Sequence, residues 1–288
     1  MAEFPILSPH GHVNPELLAS NNAFSDPVAL LITPDHYITR LLASQGVSYE
    51  ALNIPTLKGG ASNQNSAEEI WKLLATNWVA FAGTPSRMWF EEILTEIFEI
   101  NLPFTPEHAQ RIFEEISEKI TRTDFRPQQL FEKFNIELLA TTDSTSDSLE
   151  HHHALFKTSL KSRVIPTFRP DDVSDPSRGD WSAALGKLEG STNTEISRFA
   201  DLRMALRKAR NRFIDAGAKA TDHGTPSPFT VELSESEKEQ LFSGLRAGEN
   251  TNEKAELFRG VMLMEHAQMS ADDGLVMQLH PGSLRNYS

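Results

Sequence analysis

The sequence predicts an α/β protein built on a TIM-like (β/α) barrel that is interrupted by a helical insertion, and three observations support this prediction. Short apolar runs alternate with helical segments, which is typical of βαβ units with a parallel sheet. Each run ends in ionisable residues, and the strand ends of a (β/α) barrel carry its active site. A long stretch after the first run has only a helical period, which indicates an insertion.

The first predicted strand leads directly into two histidines. An apolar run from Phe4 to Leu7 is followed by His10 and His12, with Gly11 between them. Side chains two residues apart on an extended strand point to the same side, so both imidazoles can reach one divalent metal ion. Gly11 allows the backbone to bend or to approach a ligand closely. Taken alone, the motif fits an ordinary pair of surface histidines equally well.

Composition excludes several classes of protein. The 288 residues include 27 Lys and Arg against 40 Asp and Glu, a net charge of -13, which argues against nucleic acid or an anionic membrane as partner. There is no cysteine, so a cysteine thiolate can serve neither as a metal ligand nor as a nucleophile. No apolar run approaches the ~20 residues that span a bilayer, and the N-terminus lacks a basic region before an apolar core. We therefore expect a soluble, cytoplasmic protein.

The insertion is predicted to begin with a short helix that carries two candidate site residues. Thr33 is the expected N-cap, Pro34 the first helical residue and Gly46 the stop signal. His36 and Tyr37 then lie in the first turn, where side chains often face a neighbouring site. On local evidence alone, the more common interpretation is that they are ordinary helix-start residues.

Residues 62–134 are predicted to form consecutive helices without a metal ligand. Ser66 and Glu69 match a capping box, and Thr84-Pro85 and Thr105-Pro106 each open a further helix. The tryptophans and phenylalanines of this stretch, at helical spacing, are expected in the core. The predicted organisation is a first barrel strand and loop over 1–33, a mainly helical insertion over 34–134, and four further βα units over 135–288.

Four more apolar runs follow, and each is followed by polar or ionisable residues. The runs cover 136–142, 163–168, 218–222 and 275–280, and the residues at their ends are Asp143, Arg169, Asp222 with His223, and His280 with Arg285. Repetition at five strand ends favours a metal-assisted barrel enzyme. Only about five of the eight strands of a whole barrel are found. The length agrees with this count, since a whole barrel needs roughly 250 residues without insertions and the chain falls short of that once the helical insertion is set aside. We expect a barrel cut short at its C-terminal side.

Several motifs occur along the chain in a fixed order. They are His10-Gly-His12, Asp35-His36-Tyr37, Thr141-Thr-Asp143, Pro166-Thr-Phe-Arg169-Pro-Asp171, Thr221-Asp222-His223 and Leu279-His280-Pro-Gly-Ser-Leu-Arg285-Asn286. Together they resemble the uronate (glucuronate) isomerase family of the amidohydrolase superfamily, nearly from end to end. One departure is Ser8, which stands where that family usually has an acidic residue.

The resemblance implies a (β/α)₈ barrel of the metal-dependent hydrolase type with aldose–ketose isomerase activity. The substrates would be D-glucuronate or D-galacturonate and the products D-fructuronate or D-tagaturonate, formed by proton transfer through an enediolate. His10 and His12 would bind a divalent metal, expected to be zinc, with weak or partial occupancy because the family's metal-ligating aspartate of the eighth strand has no counterpart. The catalytic residues would be His36, Tyr37, Arg169, Asp222 and His280, and the substrate-binding residues Arg169, His280, Arg285 and Asn286.

Each implied role has a chemical reason. Arg169 and Arg285 suit the substrate carboxylate or the developing oxyanion, since a guanidinium can bind both carboxylate oxygens. His36, Tyr37 and His280 would bind hydroxyls or relay protons, and Asp222 is a candidate base or orienting group.

The expected partner is a small anionic hexuronate, and homo-oligomer formation stays open. Two alternatives also stay open: a metal-dependent hydrolase on the same scaffold, and a non-catalytic remnant that folds with another chain. For residues 1–288 alone we expect activity at least ~10³-fold below the ordinary range, because the principal acidic ligand is absent.

Overall fold

The computed structural model describes residues 4–55 and 65–282. The chain divides into two compact units, one formed by 1–20 and 134–288 and the other by 21–133. The helical unit thus begins at Asn21 and not at residue 34, because the helix at Pro27–Leu31 already places Val28 and Ile32 in the core of that unit.

The first unit is an α/β unit with parallel strands, as the sequence predicts. Its strands are β1 (Ile6–Ser8), β2 (Ile136–Ala140), β3 (Asp143–Ser144), β4 (Val164–Ile165), β5 (Phe168–Arg169), β6 (Ala220–Thr225) and β7 (Val276–Pro281). The order is β1-β2-β4 in one sheet and β3-β5-β6-β7 in the other, and every pairing is parallel. Each run predicted as a strand therefore contributes to a sheet.

Two of the predicted strands are each divided into two segments. Backbone hydrogen bonds nevertheless cross both breaks, because Leu139 N, Thr141 N and Asp143 N donate to the carbonyls of Arg163, Ile165 and Thr167. This regular spacing is that of a parallel ladder. β2 with β3, and β4 with β5, thus occupy two positions in a row of five neighbouring strands.

The helices of the described residues are numbered along the whole chain. They are α1 (Pro15–Ser20), α2 (Pro27–Leu31), α3 (His36–Ser44), α4 (Ala67–Thr76), α5 (Pro85–Glu92), α6 (Ala109–Ile120), α7 (Pro127–Lys133), α8 (Glu150–Leu155), α9 (Asp171–Ser174), α10 (Trp181–Thr192), α11 (Phe199–Asp215), α12 (Glu235–Arg246) and α13 (Asn252–Asp273). None of those described is long and apolar enough to cross a membrane.

The core of the α/β unit lies between the strands and the helices α10 to α13. One side of α11 is an apolar stripe, and its residues Phe199, Leu202, Leu206 and Phe213 are all buried. Phe213 contacts Phe168 of β5 edge-on, with the ring centroids 5.1 Å apart. Burial of this stripe holds the helix layer against the sheet and so positions the strand ends.

The second unit is helical over its described residues, which contain no strand. Trp71 of α4 is buried at its centre and donates from Nε1 to the carbonyl of Ala109 at 2.9 Å. The capping box of Ser66 and Glu69 at the start of α4 is confirmed. A buried tryptophan needs a partner for its indole N–H, and α6 supplies it here.

Three details of the helical unit differ from the prediction. Asp35, not Thr33, caps α3, because its carboxylate accepts from Tyr37 N and Ile38 N. α6 begins at Ala109, a turn after Thr105-Pro106. Trp89 is 51% exposed, because the buried face of α5 runs through Ser86, Phe90 and Leu94 at i, i+4 spacing and places Phe90 inward instead.

Candidate active site

His10 and His12 converge in the loop that follows β1. Their Nε2 atoms are 3.3 Å apart and the rings meet nearly at right angles. Since β1 ends at Ser8, this convergence comes from the loop and not from strand alternation. Thr142 fixes the loop, because its hydroxyl donates to the carbonyl of Gly11 at 2.7 Å.

A buried carboxylate lies at the centre of the site. Asp222 of β6 is fully buried, with Oδ1 2.7 Å from Nε2 of His280 and 3.6 Å from Nδ1 of His10. Oδ2 is 3.1 Å from Nη1 of Arg169. Four of the predicted site residues, carried by β5, β6, β7 and the loop after β1, thus meet at one point. A buried carboxylate is stabilised by such partners, and it can orient and polarise them in turn.

Asp171 and Gly224 support this arrangement, and neither is among the predicted site residues. Arg169 Nε donates to Asp171 Oδ2 at 2.8 Å, and Gly224 N donates to Asp171 Oδ1 at 3.0 Å. A Cβ on Gly224 would lie 2.9 Å from Arg169 Nη2, 2.9 Å from Asp171 Oδ2 and 3.0 Å from His280 Cε1. Glycine therefore allows the side chains to close around this point. The only feature of the sequence that points to Gly224 is that it directly follows the motif Thr221-Asp222-His223.

His223, adjacent to Asp222 in sequence, faces the helix layer. Its Nε2 is 2.8 Å from Thr221 Oγ1, and its ring is 5.0 Å from the ring of His266 on α13. Burial lowers the pKa of His223 to about 3 and holds the pKa of His266 well below its usual value. Both rings are neutral, so they belong to the buried packing of the unit.

Asp143 belongs to a separate buried cluster. Thr141 Oγ1 donates to Asp143 Oδ2 at 2.7 Å, and His152 Nε2 lies 2.9 Å from the same hydroxyl. Burial raises the pKa of Asp143 to about 6 and lowers the pKa of His152 to about 4. Desolvation disfavours the charged form of both side chains. We therefore assign this cluster a structural role in the packing of α8 against β3.

The remaining predicted residues lie outside this group or outside the described residues. His36 and Tyr37 occupy the first turn of α3 in the helical unit, with ring centroids 4.3 Å apart, and their part in the site stays a prediction. Arg285 and Asn286 lie outside the described residues.

The histidine pair fits two corners of a metal site. Two nitrogens that each bind zinc at about 2.0–2.1 Å in a tetrahedral arrangement are about 3.3–3.4 Å apart, which matches the 3.3 Å between the Nε2 atoms. No third His, Cys, Asp or Glu completes such a group within residues 4–55 and 65–282. Asp222 faces the other nitrogen of His10, a position from which carboxylates orient histidine ligands.

A family model described as glucuronate isomerase matches residues 1–288. The uronate isomerase of Rhizorhabdus wittichii is 44% identical over 288 residues, and that of Brucella canis is 43% identical over 286 residues. The alignments cover 100% and 99% of this chain and 60% and 61% of the relatives.

Two crystal structures are also similar to the chain. The glucuronate isomerase of Caulobacter crescentus gives a TM-score of 0.95 at 40% identity and is matched over 60% of its length. The uronate isomerase of Thermotoga maritima gives 0.91 at 26% identity and is matched over 61% of its length. These matches cover 100% and 99% of this chain, which thus spans about 60% of the length of its relatives.

Proposed function

The chain belongs to the glucuronate isomerase family, and we propose on that premise that its reaction is the interconversion of an aldose and a ketose uronate. The observation that carries the proposal is the buried carboxylate of Asp222, which faces Arg169, His280 and His10 at the ends of parallel strands. The substrate would be a hexuronate such as D-glucuronate or D-galacturonate.

The strands are proposed to form part of a (β/α) barrel of the amidohydrolase type. Their consecutive parallel order supports this, and so does the position of the site residues towards the carboxyl ends of the strands. Leu7 and Val276, on the two outer strands of the row, are 61% and 65% exposed. A closed barrel would pair both of these strands.

The reaction moves a carbonyl from C1 to C2 and needs one group to move a proton and another to stabilise negative charge. A base removes the C2 proton and the electron pair forms the enediolate. A proton is then delivered to C1, while O1 gains a proton and O2 loses one, so that the carbonyl stands at C2. The side chain of His280 is 29% exposed, although both of its ring nitrogens are buried, whereas Asp222 is fully buried. We assign contact with the substrate oxygens or the moving proton to His280, because its imidazole is an ionisable group beside Asp222, and we assign its orientation to Asp222.

Arg169 is the proposed partner of the substrate's negative charge. Its guanidinium is held by Asp171 and Asp222, and the side chain as a whole remains 19% exposed. The chain carries a net charge of -13, so a local cation is needed to attract an anionic sugar. A planar guanidinium suits either the carboxylate or the developing oxyanion.

His10 and His12 are the proposed ligands of a divalent metal, with zinc expected. The bound ion would supply positive charge at the developing oxyanion. Within the described residues, the Nε2 atoms of these two histidines are the ligands that fit a metal ion, and the loop after β1 holds them in place.

The proposal is tested by following the C2 proton of D-glucuronate and D-galacturonate in D₂O by NMR, with and without added Zn²⁺. We expect the purified chain to exchange this proton and form the ketose at a rate at least ~10³-fold below the ordinary enzymatic range. His280→Gln should lower that rate by a further factor of at least ~10². The matched control is His151→Gln, because His151 lies on α8 and its carboxylate neighbour is Glu150. Exchange no faster than in the His280→Gln variant would overturn the proposal, as would hydrolysis without exchange at C2.

A further inference from the structure

Gln278 makes two contacts that determine how its side-chain amide is oriented. Its Nε2 donates to the carbonyl of Pro9 at 3.1 Å, and its Oε1 lies 3.3 Å from Nδ1 of His10. The carbonyl of Pro9 can only accept a hydrogen bond, so the NH₂ group must face it. The amide oxygen therefore faces the ring of His10.

This orientation determines the tautomer of His10. An amide oxygen can only accept, so Nδ1 of the neutral ring must carry the proton. The nitrogen left with a free lone pair is then Nε2, which lies 3.3 Å from Nε2 of His12. Histidine ligands of metals commonly use the second nitrogen in this way, as a donor to a fixed acceptor.

We propose that Gln278 is a positioning residue that holds His10 in the tautomer able to bind a metal ion, an inference that rests on the metal role proposed above for His10. Gln278 lies on β7 beside Asp222 in the strand register. Asp222 is the second acceptor on this side of the ring, at 3.6 Å from Nδ1. Its oxygens are closer to His280 and Arg169, at 2.7 and 3.1 Å, which leaves Gln278 as the nearer partner.

The contact between Gln278 and His10 also connects distant parts of the chain. Gln278 is 268 residues from His10 in sequence, and β7 pairs with β6, whereas β1 pairs with β2. Strand β7 therefore reaches the histidine pair through the side chain of Gln278, and the ring of His280 lies 5.9 Å from that of His10, while the backbone pairs of β7 are with β6. Loss of an outer-shell partner typically lowers metal affinity by about 10- to 100-fold.

The first test reads the tautomer directly in the metal-free chain. Long-range ¹H–¹⁵N NMR of the ¹⁵N-labelled protein, at a pH well above the usual histidine pKa, reports which ring nitrogen is protonated. We expect Nδ1–H for His10 in the wild type and a mixed or Nε2–H form in Gln278→Leu. A proton on Nε2 of His10 in the wild type would overturn the proposal.

The second test measures Zn²⁺ affinity by calorimetry in three variants. Gln278→Leu is expected to lose roughly 10- to 100-fold in affinity. Gln278→Glu keeps an acceptor for Nδ1 but loses the donor to the Pro9 carbonyl, so it should lose less affinity than Gln278→Leu. Gln268→Leu is the matched control for the same chemical change, because Gln268 is exposed on α13 and bonds Asp272. Equal losses in the Leu and Glu variants, or none in either, would refute the positioning role.

These measurements do not depend on catalysis. If the chain shows the expected tautomer and Zn²⁺ affinities but no proton exchange with a uronate, the proposed function fails while the role of Gln278 stands. If exchange is observed and His10 carries its proton on Nε2, the proposed function stands and the role of Gln278 fails.

Discussion

Replacing Gly224 by alanine is expected to disturb the site while the backbone keeps its conformation. Gly224 does not have a positive φ, so an L-residue can adopt its backbone angles. The added methyl would lie 2.9 Å from Arg169 Nη2, 2.9 Å from Asp171 Oδ2 and 3.0 Å from His280 Cε1. The perturbation therefore acts on the side chains of the site and not on the strand.

The size of the effect follows from how firmly these neighbours are held. Carbon contacts are favourable at about 3.5–4.0 Å, so each neighbour must retreat by roughly 0.5 Å or more. Asp171 is held by Arg169 at 2.8 Å and by Gly224 N at 3.0 Å, and Asp222 lies 2.7 Å from His280. Overpacking of this kind costs about 1–3 kcal/mol of unfolding free energy. Misplacement by ~1 Å can lower a rate by ~10²-fold, so we expect a loss between tenfold and that value.

Urea unfolding and the C2-exchange rate measure the two effects separately. Gly186→Ala is the control, because Gly186 lies within α10 and a Cβ there would meet no atom within 4 Å. That variant should keep the wild-type exchange rate and gain about 0.5–1 kcal/mol, since glycine is unfavourable inside a helix. A Gly224→Ala variant with wild-type unfolding and exchange would refute the close packing inferred around this residue.

Three further predictions concern the buried charge, the metal and pH. Asp222→Asn should lower the free energy of unfolding by at most roughly 3–5 kcal/mol, because the partly buried Arg169 loses one of its two carboxylate partners and keeps Asp171; an unchanged urea midpoint would contradict this. His12→Ala should weaken Zn²⁺ binding in calorimetry, because one of two converging nitrogens is lost; equal affinity would argue against the pair. Burial keeps the pKa of His266 well below 6.5, so the folded state excludes a proton that the unfolded state binds as the pH falls. Wild type should therefore lose stability relative to His266→Gln below about pH 6.5, by up to about 1.4 kcal/mol per pH unit; a difference independent of pH would disprove this.

The sequence alone located the strands and the residues that end them. Short apolar runs with turn signals mark buried parallel strands, and parallel strands bring their carboxyl ends to one edge. That rule was sufficient to place Arg169, Asp222 and His280 in one group. Their chemistry could be argued because it depends on residue type and on strand position.

Local signals were weaker where two residues suit the same position. Thr33 and Asp35 are both good N-caps, and the choice of Asp35 depends on which turn packs into the helical core. Trp89 and Phe90 are adjacent aromatic residues that each start an apolar series at helical spacing, and the tertiary packing buries Phe90 and leaves Trp89 at the surface.

What the sequence by itself determined about this protein is the parallel α/β class, the helical insertion and the residue types at the strand ends. Tertiary structure alone decided that Asp222 faces the site while His223 faces α13, because adjacent residues on a strand point to opposite sides. It also brought Gly224 and Gln278 into the site, through contacts to residues far away in sequence. Such contacts form only when separate strands meet, and so no short stretch of sequence encodes them.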